Sequence, residues 1–227
     1  MTSTAGAHLG HVVVRAERYL KVEVGPERVR VVVSMTLGPG EAARVLAAAD
    51  SEGDGDGRVS AAEAQAYLER WAKGLREELP MELDGERVEP EWGDGYLAPL
   101  GPVRPAPGAV EMVARVPLDG GRHVLTVRDR MRPEVADRTD VAFRALGQAR
   151  LHATGLSEEP ANLVRDLAYG PRLASEGRAD AITAVFEVPG LPRTARWGLI
   201  AAASVLLALG GAAWWAVRRR RRPGRQA

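Results

Sequence analysis

The chain has 227 residues, of which 45% are hydrophobic and 27% charged, with 31 basic against 30 acidic side chains. It has no cysteine, which excludes disulfides, thiolate nucleophiles and cysteine-ligated zinc. Its basic residues form no face interleaved with aromatics, so nucleic acid is not an expected partner.

At the N-terminus, MTSTAGA has neither a basic n-region nor an apolar h-region. Ala5-Gly6-Ala7 is nevertheless an A-x-A pattern of the kind a signal peptidase cuts, just before His8. The expectation is an export signal upstream of Met1 and a mature chain that starts at His8. Residues 1–7 would then be the residual end of a signal peptide, or disordered. The alternative is a tail-anchored protein with its bulk in the cytoplasm. His8 and His11, with a free amine, form a second metal-binding set of the kind that suits nickel, copper or cobalt. Terminal residues more commonly stay loose or pack on a sheet edge, so this is not the expected metal site.

Residues 12–37 read as two strands. Tyr19, Lys21 and Glu23 alternate with Leu20, Val22 and Val24, Gly25-Pro26 punctuates, and ERVRVVVSMTL resumes. Gly38-Pro39-Gly40 ends the pair, and a short helix is expected from Glu41 to about Ala49. A longer helix is expected from Ser60 to Leu79. Its residues Ala64, Leu68, Trp71 and Leu75 form one apolar stripe that reads as a core-facing surface.

Between these helices lies an acidic, glycine-rich loop, Asp50 to Glu63. Calcium takes six to eight oxygens, so closely spaced carboxylates must bend around one point. A glycine at the sixth position makes the bend, and a glutamate at the twelfth closes the site. With Glu63 at position 12, Glu52 falls at 1, Asp54 at 3, Asp56 at 5 and Gly57 at 6. Arg58 then offers its carbonyl at 7, Val59 anchors the loop at 8, and Ser60 stands at 9. Position 1 is usually Asp, so Asp50 is the alternative first ligand if the loop bulges by two residues. The simpler reading is a polar turn in which Ser60 and Glu63 form only an S-x-x-E capping box.

Asp84-Gly85 within MELDGERVEPEW signals a hairpin. Residues 93–108, rich in proline and glycine, read as a loop. Further strands are expected at 110–117, 123–127 and 140–145, with weaker candidates at 151–153 and 181–188. Asp119-Gly120-Gly121 reads as the turn joining the first two of these. His123 and His152 stand alone in strand-like segments and read as packing or surface residues. Gly-x-Ser-x-Gly, H-E-x-x-H, P-loop and Rossmann patterns are all absent, so an enzyme is not expected.

The C-terminal segment is the strongest single signal. Trp197 to Val217 is an unbroken apolar run, long enough as a helix to cover roughly 32 Å, and Arg218 to Arg222 follow it at once. Tryptophans at both ends suit the membrane interface, and the arginines favour a cytoplasmic tail. Six of the 31 basic residues lie after Val217, which leaves 25 against 30 acidic ones, a net charge of −5, for everything before the tail. Leu191-Pro-Arg-Thr-Ala195 precedes the run and is similar to a sortase sorting signal, although the usual last residue is Gly. An ordinary linker is the competing reading.

Five stretches stand out together: AHLGH at 7–11, ERYLKVEV at 17–24, VVVSMTLGPGEA at 31–42, DGDGRVSAAEAQAY at 54–67 and LDGERV at 83–88. Together they resemble a bacterial family of exported β-rich domains found beside or fused to nickel/cobalt permeases of the HupE/UreJ-like type. The resemblance covers residues 8–90 and implies an exported accessory domain with an EF-hand-like insertion. It assigns no reaction.

The expected organisation is therefore a mainly β chain. An exported β-sandwich of about seven to nine strands spans 8–190, with a helix–calcium-loop–helix pair inserted at 40–79 between strands two and three. A linker at 191–196, a transmembrane helix at 197–217 and a cytoplasmic basic tail at 218–227 complete it. The expected function is a single-pass, membrane-anchored extracytoplasmic binding or accessory domain that binds Ca2+, with the bilayer and a permease as partners. The alternative is a structural or adhesion-type surface protein whose loop is stiffened by calcium or degenerate.

Overall fold

Alternation of apolar and polar side chains over nine residues makes β1 (Ala16–Val24), and the same alternation makes β2 (Arg28–Leu37). Leu20, Val22 and Val24 point inward with no more than 1% exposure, while Glu17, Tyr19 and Lys21 take the other face. Gly25 N–H donates to the Arg28 carbonyl at 2.9 Å and turns the chain, so the strands pair antiparallel with Leu20 opposite Val33. The computed structural model describes residues 15–131, 138–165, 172–176 and 180–190.

After β2 come α1 (Pro39–Ser51), the two-residue β3 (Arg58–Val59) and α2 (Ala61–Glu78). The helix pair thus sits where the sequence places it, between the first hairpin and the third long-range strand. On α2, Ala64, Leu68 and Leu75 are buried, and Trp71 is half-buried against the same core. Next come β4 (Met81–Leu83) and β5 (Glu86–Val88), joined by Asp84-Gly85 with φ of 56° and 83°. Two successive positive φ angles match the twist of a two-residue hairpin turn.

The remaining strands are β6 (Glu91–Ala98), β7 (Gly101–Pro102), β8 (Gly108–Pro117), β9 (Gly121–Arg128), β10 (Arg138–Ala145), β11 (Arg150–Gly155), β12 (Arg172–Glu176) and β13 (Ala181–Val188). One sheet has the order β12-β10-β1-β2-β8-β6 and a second β11-β13-β9-β4-β5, while β3 and β7 form a ladder of their own. Residues of both sheets and both helices enter one apolar core, including Leu20, Val31, Leu46, Leu75, Leu125, Ile182 and Phe186. Burying each such side chain contributes about 1.5–3 kcal/mol.

Two expectations need correction. The stretch 93–108 is not all loop, because β6 runs through it and pairs with β8. The glycines that suggested a loop form a bulge: the register shifts between Gly93 and Tyr96, and Asp94 takes φ 51°. Asp119-Gly120-Gly121 joins β8 to β9 as expected, and it carries the chain from one sheet to the other. From β8 to β13 every connection crosses between the sheets. The strand count is also higher than expected, with 13 strands among the described residues. β12 escaped the sequence reading, and the two-residue β3 and β7 are too short to leave a periodic signal.

β1 is flanked on its other side by β10, in parallel, with Arg18 opposite Thr139. Arg18 points into the core, where its Nη1 donates to Asp129 Oδ1 at 2.9 Å and its Nη2 also pairs with Oδ2. Its Nε and Nη2 donate to Thr139 Oγ1 at 3.1 and 2.8 Å. This buried cluster links the first sheet to the end of β9 in the second. No described helix is long and apolar enough to cross a membrane. Residues 1–7, His8, His11, the linker 191–196 with Leu191–Ala195, the apolar run 197–217 and the tail 218–227 lie outside the described residues.

Candidate metal centre

The acidic loop connects α1 to α2, and local chemistry shapes it at both ends. Ser60 is the N-cap of α2: its Oγ accepts from Glu63 N–H at 3.2 Å, while Glu63 Oε2 accepts from Ser60 N–H at 2.8 Å. The Ser60 hydroxyl also donates to Oε2 at 2.8 Å. This is the reciprocal box that S-x-x-E predicts. The other oxygen, Oε1, reaches back across the loop and accepts from Asp54 N–H at 3.1 Å. These hydrogen bonds, led by the one from the Ser60 backbone, hold the Glu63 carboxyl below its ordinary value of 4.5.

Asp50 sits in the last turn of α1 with 8% exposure. Its Oδ1 accepts from Gly57 N–H at 3.1 Å, and its carbonyl accepts from Gly53 and Gly55 N–H at 2.9 and 3.1 Å. Gly55 and Gly57 take φ of 69° and 78°, the left-handed turns that let the chain coil around this carboxylate. Carboxylate oxygens of Asp50, Asp54 and Glu63 all lie within 4.8 Å of one another.

The other residues singled out in the sequence fall differently. Glu52 pairs with Arg70 of α2, whose guanidinium also lies 5.9 Å from the Tyr67 ring centroid. It is not among the three converging acids. Asp56 Oδ1 accepts from Arg58 N–H at 2.8 Å, and Asp56 N–H donates to Asp54 Oδ1 at 3.1 Å, a chain of short turns along the loop rim. Arg58 is exposed and pairs through β3 with Pro102 of β7. Val59, 2% exposed, anchors the loop in the core beside it. Val103 N–H donates to the Gly57 carbonyl at 2.9 Å and extends this support.

Gly53 was missed in the sequence. A Cβ there would lie 1.9 Å from Glu63 Oε1, so the closing carboxylate passes directly over a bare backbone. Spacing gives no signal for this contact, because it depends on the path of the Glu63 side chain. The β3–β7 ladder was missed as well, since it joins residues far apart in sequence.

The two described histidines are engaged locally. His123 Nδ1 lies 2.7 Å from Asp84 Oδ2, its Nε2 lies 2.9 Å from the Asp119 carbonyl, and its ring packs on Phe186. His152 Nε2 lies 3.2 Å from Glu187 Oε2.

The donor set of the loop consists of oxygens alone, which suits a hard divalent cation better than zinc or copper. No protein-family model matches the chain, and a search of curated proteins found no match.

Proposed function

We propose that the chain is a membrane-anchored, extracytoplasmic binding or accessory domain, a β-sandwich whose helix–loop–helix insertion binds Ca2+. The observation that carries the calcium reading is the convergence of Asp50, Asp54 and Glu63 between two helices. Asp50 would serve as first ligand in place of Glu52, which is engaged by Arg70. Asp54, Asp56, Ser60, Glu63 and the Arg58 carbonyl would supply the remaining oxygens. A bound ion would neutralise three mutually repelling carboxylates and tie the end of α1 to the start of α2. The anchor and its orientation rest on Trp197–Val217 and the arginines that follow. A role beside a metal permease rests on the resemblance carried by residues 8–90.

The alternative is a structural or surface protein with a degenerate loop. One observation favours it: Asp50, Asp54, Asp56 and Glu63 each already accept a backbone hydrogen bond within the loop. Calorimetry with CaCl2 separates the two readings. Saturable heat that disappears in Glu63→Gln supports the calcium site, and no heat at millimolar calcium leaves the structural reading. Recovery of a permease with the chain after mild detergent extraction would support the accessory role, and failure to recover one would weaken it.

A further inference from the structure

Along α2, the helix and the edge strand β6 enclose a groove of about 480 Å3. This is within the roughly 300–1,000 Å3 of small-molecule sites. Its walls divide by chemistry. Leu68, Ala72, Met112 and Trp92 form an apolar floor, with Leu68 and Met112 at 4% and 3% exposure. Gln65, Glu69, Lys73, Arg76 and Asp94 form the rim.

Of the two rim acids, Asp94 pairs with Arg115, while Glu69 Oε1 accepts from Gln65 Nε2 at 3.1 Å and the carboxylate keeps its charge. The side chains of Lys73 and Arg76 have no hydrogen-bond or ion-pair partner among the described residues. Trp92 adds an enclosed indole Nε1 that has no acceptor. A buried indole N–H normally finds one. With Asp94 paired to Arg115, the rim carries two cations, Lys73 and Arg76, against the single carboxylate of Glu69, a net positive charge above an apolar floor. The bulge at Asp94-Gly95 carries the edge strand out of regular pairing at this point. An added peptide strand is therefore a poor fit.

We propose that this groove binds a small organic anion with an apolar body, its carboxylate held by Lys73 and Arg76 and its body lying on Trp92 and Met112. The site is separate from the calcium loop and does not depend on it.

The test is calorimetric titration of the full-length chain, in non-ionic detergent, with indole-3-acetate, benzoate and hexanoate. Indole-3-acetamide and tryptamine serve as neutral and cationic counterparts. At least one carboxylate binds saturably, its amide binds at least about tenfold more weakly, and added salt lowers the affinity. The double variant Lys73→Gln/Arg76→Gln loses at least about tenfold in affinity with an unchanged melting curve, because both side chains are exposed. Ala72→Met, which fills the floor without touching a charge, weakens binding as well. The proposal is overturned if no carboxylate gives saturable heat up to about 10 mM. It is also overturned if tryptamine binds as tightly as the acid, or if either variant keeps full affinity.

Discussion

Removing the carboxylate of Asp129 exposes how much the buried charge cluster contributes. Arg18 is 4% exposed and Asp129 2%, so Asp129→Ala leaves a guanidinium enclosed in the core without its counter-charge. Thr139 still accepts two of its hydrogen bonds but cannot neutralise it. Breaking a buried pair from one side costs about 3–5 kcal/mol. For a chain of this size each kcal/mol lowers the melting point by about 2–4 °C, so a drop of roughly 6–20 °C is expected. Urea unfolding followed by circular dichroism measures the same loss, with little dependence on salt because the pair is screened from solvent. Arg18→Met/Asp129→Leu tests the cause: replacing both charges with apolar groups should restore part of the stability, since the Met131 N–H that donates to Asp129 Oδ1 at 3.2 Å loses its acceptor in both variants. A loss under about 1 kcal/mol in Asp129→Ala, or a double variant as unstable as the single, would refute the assignment of a desolvated pair.

Other expectations concern the loop and the outer face of the first sheet. Asp50→Asn keeps the acceptor for Gly57 N–H but removes a ligand charge, so it should weaken calcium binding at least about tenfold, whereas Glu52→Gln should leave it nearly unchanged. Equal effects of the two, read by calorimetry, would return Glu52 to the first position. Gly53→Ala should abolish calcium heat while the fold persists, because the clash is with the movable end of Glu63. Unchanged heat would mean that Glu63 does not close the site. The lowered Glu63 value means its stabilisation is complete above about pH 4.5 and is lost as pH falls through the lower folded value. Glu63→Gln should flatten that acid limb of the melting curve. Burial raises the Glu111 carboxyl, so its ionised form at pH 7 opposes folding. Glu111→Gln should therefore raise the melting temperature at pH 7, and a clear drop would contradict the burial argument.

What the sequence determined by itself is local. Alternation specified β1 and β2, because a strand's side chains change face at every residue. The stripe from Ala64 to Leu75 specified the buried side of α2, and Ser60 with Glu63 specified its start, because capping needs only residues three apart. Asp84-Gly85 specified a hairpin through the dihedral angles its turn requires. The carboxylate pattern marked the loop in which Asp50, Asp54 and Glu63 converge.

Tertiary structure alone decided the rest. β1 lies parallel to β10, and Arg18 meets Asp129 across 111 residues, contacts to which no periodic pattern points. Glycines at 93 and 95 read as loop until β8 supplied a partner that turned them into a bulge. The convergence of Asp50, rather than Glu52, on Asp54 and Glu63 followed the same logic. Spacing counts residues along the chain, but which carboxylate faces the loop centre depends on Arg70 capturing one of them and on Gly53 leaving room for Glu63. Local geometry is encoded in dihedral preference and period. Convergence of distant side chains is set only when the packed core brings their backbones together.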